Sequence, residues 1–469
     1  MTALPIAFQT NTSKYNYLGT TALVNAYAEQ QGNDAKGPLA VLPSHGLSEL
    51  VEVSDAVSRG FIFCEDLDCI YAVHGISAYK ITRSAGIYTS ARLGTLPGTD
   101  RVKISRNQAD PPQISVLSTA GNYYIEADII KVVTDSDLPT PVDQDQAGGY
   151  TAYAIEDGRF FLSGLNDCSS INSLDYATAE QASDKLVGIK YDRGTLYLFG
   201  TSTIEAWRNT GAADFPFEPI TTQIVQKGLI GRDAVASCGN TLMFVGSDSA
   251  VYRLGGGVTR ISNHGIERLI EADANKSSIV AFSYNIEGHS FLVVTGTDWT
   301  RTYDAATNTW HSRESYGLDV WRAKFAVRAW GQTVFGDALT GKLLKLDREV
   351  YTEDGDTMIW GVDSPTLHVY PNGGIVDAVH FDMATGYGDV SSTSQGYDPA
   401  VMLSVSKDGG NTWSGAREIE LGRSGSRQRV TARRLGRFGP LGMQFRLRVS
   451  DPVARSLVLS DVQVRPLRR

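Results

Sequence analysis

The chain has 469 residues, 42% hydrophobic and 20% charged, with a mean hydropathy of −0.17; one hydrophobic core rarely serves that length, so a large domain plus a smaller one is expected. The first thirty residues hold no basic start followed by an apolar core, and no run nears the roughly 18 apolar residues that cross a bilayer, so the reading is a soluble protein made in a cytoplasm without a secretory signal. Net charge is −9 and uneven: Arg417–Arg469 carries 13 Arg against Glu418, Glu420, Asp451 and Asp461, a balance of +9 that leaves −18 on the preceding 416 residues.

Residues 1–55 show no clean period. Leu4-Pro5, Leu39–Pro43 and Gly46 read as an extended, Pro-punctuated arm that docks on the rest of the protein. From Gly60 a strand–turn–strand pattern recurs, in Gly60–Val73 with Ile76–Thr82, Ile114–Asp128 and Ala154–Gly164. The clearest copies are consecutive, Ile189–Arg208 and Val235–Leu254, each with a Gly turn, an apolar run, a small-residue turn and a strand ending near Trp207 or Tyr252. Tyr284–Trp310 and Val327–Asp347 continue the series. A unit this short has one apolar face and cannot bury it alone, so it must stack on neighbours.

Turn glycines 60, 121, 158, 194, 239, 288 and 331 lie 36 to 61 residues apart. Spacing near 40–50 with short strands is the mark of propeller blades. The expected fold is all-β: a β-propeller of six or seven blades over residues 56–370, with a stacked series of β-sandwiches as the alternative. Ser173–Asp184 and His264–Ala272 are candidate short helices, the second because Ile266, Leu269 and Ile270 share a face. Over 371–469 the segments Gly373–Gly386, Ala400–Trp413, Met443–Ser450 and Leu457–Leu467 alternate apolar and polar residues, which predicts a C-terminal antiparallel β-sandwich-like domain.

Candidate chemistry is sparse. Ser406, Asp408, Gly410, Thr412 and Trp413 fit the Asp-box pattern S-x-D-x-G-x-T-W, in which the aspartate bonds the backbone of its own turn and the tryptophan packs beneath the hairpin. Sialidase-like enzymes repeat that box and add an arginine cluster, a proton donor and a Tyr–Glu pair; here one copy stands outside the repeat, so it reads as a hairpin staple. The seven His lack metal-ligand spacing, Asp66 and Asp68 lack the rest of a calcium loop, and Gly255–Gly257 lacks the Lys-Ser/Thr of a phosphate loop. The four cysteines read as reduced thiols, with Cys64 and Cys69 able to face each other across a hairpin. The expectation is no enzyme, no metal and no cofactor. Arg423, Arg427, Arg429, Arg433, Arg434 and Arg437, followed by Arg446 and Arg448 in a strand, suit bidentate pairing. Three readings stay open for them: a solvated strand face, an interface with an acidic protein, or contact with nucleic-acid phosphate.

Three blocks carry a resemblance. They are Gly200–Glu205 with Asn209–Ala212, then Val225–Gly231 including Gln226, Lys227 and Gly228, then Arg433–Arg437 with Phe445–Val449. In this order and spacing the chain resembles the packaged-DNA stabilisation proteins, or tail-hub nozzle proteins, of short-tailed podovirus bacteriophages. The resemblance implies a non-enzymatic virion tail component assembled in the host bacterial cytoplasm. It implies six copies in a ring below the portal and its adaptor, extending the DNA channel, retaining the genome, and docking the needle or plug and the tailspikes. On that footing the acidic body is expected to line the channel and the arginines to meet carboxylates of the adaptor ring. A propeller-type glycan-binding or sialidase-like protein is the alternative.

Overall fold

The computed structural model describes residues 2–32, 34–179, 184–212, 215–222 and 224–467. Left-handed turn residues cut the chain into short antiparallel strands. Arg193 (φ 50°) and Gly194 (φ 83°) join Leu186–Asp192 to Thr195–Gly200, and Gly239 (φ 54°) and Asn240 (φ 66°) join Val235–Cys238 to Thr241–Val245. Positive φ at both central positions is what a two-residue hairpin with the native strand twist needs.

Seven blades form among the described residues. Blade 1 comprises Ser58–Cys64, Cys69–His74, Ser77–Ser84 and Ile87–Thr95, and blade 2 comprises Lys103–Arg106, Ile114–Ser118, Gly121–Glu126 and Ile129–Val132. Blade 3 runs Pro141–Ala147, Tyr150–Ile155, Arg159–Gly164 and Asp167–Thr178; blade 4 runs Leu186–Asp192, Thr195–Gly200, Ile204–Asn209 and Phe217–Pro219. Blade 5 is Val235–Cys238, Thr241–Val245, Val251–Leu254 and Val258–Arg260, and blade 6 is Val280–Ile286, His289–Thr295, Thr300–Asp304 and Thr309–Ser312. Blade 7 takes Ala323–Ala329, Gln332–Asp337 and Lys342–Asp347, and its fourth strand is Gly46–Glu52 from near the N-terminus.

Ala323–Ala329 packs against Ser58–Cys64, so the last blade meets the first and the ring closes. The N-terminal strand locks that closure. Its Leu47 is fully buried with Phe335 and Leu344, each such side chain contributing about 2 kcal/mol of burial. Gly46 is required by close approach: a Cβ there would lie 2.3 Å from the Thr352 carbonyl oxygen. Beneath it Arg322 pairs with Asp337 at 2.7 Å, and buried Glu353 accepts from the Trp321 indole at 2.8 Å.

The sandwich grows out of the propeller. Thr309–Ser312 of blade 6 pairs in parallel with Ala22–Val24, and the sheet continues through Trp360–Asp363, Gln444–Val449, Ala400–Ser406 and Arg417–Glu420. The facing sheet is Ala26–Gln30, Leu39–Pro43, Leu457–Pro466, Gly374–Met383 and Val430–Phe438. Leu4, Ile6, Leu23 and Val41 share its core with Trp360, Phe381, Phe445, Leu447 and Val462.

The helix expected at His264–Ala272 is present, capped by the Asn263 side chain on the Ile266 N–H at 3.0 Å. The helix expected at Ser173–Asp184 is not: Asp167–Thr178 is the outer strand of blade 3, and 180–183 lie outside the described residues. Tyr176 stacks on Phe161 at 5.2 Å across the ladder, a packing gain that a short isolated helix would lack.

Candidate interaction surface

The arginine-rich stretch folds as the last strand of its sheet. Val430–Phe438 pairs with Gly374–Met383 on one side only, burying Val430, Ala432 and Phe438 and turning Arg433 and Arg437 outward. Arg434 (φ 60°) sits where the register slips, so a bulge aims it away from the ladder. Arg427, Arg429, Arg433, Arg434 and Arg437 are exposed, and none has a carboxylate partner among the described residues.

The other three arginines are engaged within the chain. Asp363 accepts from Arg446 at 2.8 Å and Arg448 at 2.7 Å, and Arg423 pairs with Asp398. Arg446 and Arg448 share a strand face opposite Asp363, which a sequence distance of more than eighty residues hides. Of the eight arginines, five are therefore left without a carboxylate: Arg433, Arg434 and Arg437 on the edge strand, and Arg427 and Arg429 in the segment that leads into it.

Next to the ridge, the Ser406–Trp413 turn is held by its own side chains. The Ser406 hydroxyl donates to Asp408 Oδ1 at 2.8 Å and accepts from the Gly410 N–H at 2.8 Å, and the Thr412 N–H donates to Asp408 Oδ1 at 2.9 Å. Hydrogen bonds from Thr412, then Ser406, hold the Asp408 carboxyl down at about 2. Gly409 (φ 74°) and Gly410 (φ 89°) supply the backbone. Trp413 is half-buried, with the Arg446 guanidinium 3.9 Å from its ring centroid.

Gln226, Lys227 and Gly228 belong to a clip between blades 4 and 5. The Leu229 N–H donates to the Gly200 carbonyl and the Ser247 N–H to the Gly228 carbonyl, each at 3.0 Å. Gly228 has no room for a side chain: a Cβ would lie 1.9 Å from the Thr201 carbonyl oxygen. Lys227 Nζ is 2.7 Å from Asp248 and 5.1 Å from the Tyr252 centroid. Gln226 and Lys227 help line a cavity of about 690 Å³.

Sequence reasoning missed a third charged group, drawn from blades 2, 3 and 5 and packed against a ring of blade 7. Near the propeller axis the Arg101 guanidinium lies 5.1 Å from the Phe325 ring of blade 7 and 3.5 Å from Asp233, which leads into blade 5. Lys103 of blade 2 reaches Asp233 at 3.4 Å and Asp143 of blade 3 at 3.3 Å. Burial works to raise the Asp233 carboxyl, and Lys103, Arg101 and Arg232 overcome it, holding it at about 2. Blades 2 and 5 stand three apart in the ring of seven, so the Lys103–Asp233 pair bridges across its middle.

The four cysteines are buried free thiols, with Cys64 and Cys69 paired across their hairpin. Burial pushes Cys69 and Cys168 up to about 11 and Cys238 to about 12, away from nucleophilic thiolate character. Burial likewise lowers His74 to about 4, leaving it neutral near pH 7. Among the described residues no group of three His, Cys, Asp or Glu is placed to hold a metal ion, and no helix is long and apolar enough to cross a membrane.

No curated protein matches the chain. Solved structures similar to it include the WD40 β-propeller domain of Doa1 (10% identity, 64% of this chain and 96% of that one, TM-score 0.41). Others are BBS1N in complex with ARL6DN (10%, 65% and 98%, 0.39) and the computationally designed Ika8 protein (11%, 74% and 98%, 0.39). At these identities and TM-scores the likeness is distant. The sequence pattern described as "Bacteriophage P22 Gp10, beta-propeller" matches residues 2–351, and that described as "Bacteriophage P22 Gp10, beta-sandwich" matches 359–465. A seven-bladed ring joined to a β-sandwich by a shared sheet, and matched along nearly its whole length, makes this chain a member of the bacteriophage P22 Gp10 family of phage structural proteins.

Proposed function

We propose that the chain is a hub or nozzle of the virion tail, six copies forming a ring below the portal and its adaptor. The ring extends the DNA channel, retains the packaged genome, and docks the plug and the tailspikes. The observation that carries this reading is the ridge of five exposed arginines without carboxylate partners, three on an edge strand and two in the segment leading into it, in a chain whose remaining body is strongly acidic. A ridge of that kind suits carboxylates of an adaptor ring. Ion pairs that bridge the middle of the propeller favour a conduit built between copies rather than through one propeller. In such a conduit the acidic body repels phosphate, so DNA slides without the counterion-release affinity that each basic contact would add.

The test is cosedimentation with purified adaptor rings. Arg433→Glu, Arg434→Glu and Arg437→Glu together should abolish binding while the fold, checked by circular dichroism, is retained. Normal assembly of that variant at low salt contradicts the reading.

A further inference from the structure

Between the two sheets of the sandwich, on the side where both end, lies a cleft of about 500 Å³. Its rim carries three exposed cations, Lys407, Arg417 and Arg434, and no carboxylate is among its lining residues. None of the three has an ion-pair partner among the described residues; Arg417 instead donates to the Arg433 carbonyl at 2.9 Å. The floor is apolar, with Leu403 buried and Val405 and Leu435 half-buried beside Trp413. Arg417–Glu420 and Val430–Phe438, the strands on either side, are the terminal strands of their sheets, so each has one backbone edge without a ladder partner.

We infer that this cleft receives an extended acidic peptide segment of a partner virion protein. Its carboxylates meet Lys407, Arg417 and Arg434, an apolar side chain seats on Leu403, Val405 and Leu435, and its backbone adds to a free strand edge. The chemistry favours peptide over nucleic acid. A cavity this size admits an extended chain but not a duplex, and Arg446, which Asp363 fixes in place, already covers one of the two faces Trp413 could offer a base. The inference rests on reading the ridge as a contact with an acidic partner and narrows it to one segment in one cleft.

The experiment uses the full chain and fluorescence anisotropy with three labelled probes: a hexapeptide alternating Glu and Leu, its Gln counterpart, and a single-stranded oligonucleotide of equal charge. The Glu–Leu peptide should bind, with the Gln counterpart roughly tenfold weaker. Combining Lys407→Ala, Arg417→Ala and Arg434→Asn, the last chosen because Asn tolerates positive φ, should weaken it roughly tenfold as well. Lys407→Gln alone keeps the test open if the triple variant fails to fold. No peptide binding at low salt, equal binding of the Gln counterpart, an unaffected variant, or tighter binding of the oligonucleotide overturns the inference. Cosedimentation with adaptor rings separates it from the broader reading. If Arg427→Glu with Arg429→Glu and Arg437→Glu abolishes cosedimentation while the cleft variant cosediments normally, the cleft assignment falls and the ridge stands. If the peptide occupies the cleft but neither variant alters cosedimentation, the ridge reading falls and the peptide site stands.

Discussion

Gly228→Ala puts the inter-blade clip to a strict test. A Cβ at that position would lie 1.9 Å from the Thr201 carbonyl oxygen, 2.2 Å from its carbon and 2.6 Å from the Ser202 nitrogen. Carbon pairs are at ease near 3.5 Å, and every clashing atom here is backbone, so no side-chain rotation relieves the overlap. Blades 4 and 5 must separate by more than an ångström, or the Leu229 and Ser247 hydrogen bonds must break. Overpacking of this kind costs about 3 kcal/mol, the upper end of its range. Thermal unfolding followed by circular dichroism should fall by several degrees. Amide exchange should rise at 200–203, 228–230 and 246–248, with blades 1 and 2 unchanged. Gly256→Ala is the control: nothing lies within 4 Å of its Cβ, so only its positive φ of 64° is strained, at about 1 kcal/mol. If Gly228→Ala unfolds and exchanges like the parent protein, the clip geometry is wrong.

Three further outcomes rest on the same physics. Leu47→Ala should destabilise blade 7 by 2–5 kcal/mol, roughly, and raise exchange in Lys342–Asp347, because the closing strand loses its fully buried anchor. Asp233→Asn should lower stability at pH 7 by about 2 kcal/mol, as its folded-state value of about 2 lies below its ordinary 3.8. That contribution exists above the unfolded value and disappears as pH falls through the folded one, so urea titrations of parent and variant should converge between pH 4 and 2. Asp363→Ala should free Arg446 and Arg448 and loosen Trp413, seen as a shift in tryptophan emission, whereas Asp377→Ala, whose partner Arg465 is exposed, should leave stability nearly unchanged.

Much of the repeat was legible because its turns are local chemistry. Gly194, Gly239, Gly288 and Gly331 sit at the turn between first and second strands of blades 4 to 7, and their spacing reports the repeat directly. Gly121 and Gly158 turn the next pair of strands in blades 2 and 3, and Gly60 lies inside a strand, which is why the early gaps look irregular. Counted by their first strands, starting at Ser58, Lys103, Pro141, Leu186, Val235, Val280 and Ala323, the blades recur every 38 to 49 residues. The roles of Gly46–Glu52 and Ala22–Val24 were hidden, since both pair with strands about 290 to 340 residues away and nothing local signals a partner so distant. For the same reason sequence could group eight arginines but not show that Asp363 and Asp398 already hold three of them. Asp-box chemistry was legible because all its bonds fall within eight residues.

The most direct measurement is electron cryomicroscopy of the protein bound to its adaptor ring. The expected image is six copies around the DNA channel, with the arginine edge of Val430–Phe438 against acidic density of the adaptor and the propeller axes off the path of the genome. A single copy on the symmetry axis, or a ring whose arginine ridge faces solvent, would contradict it.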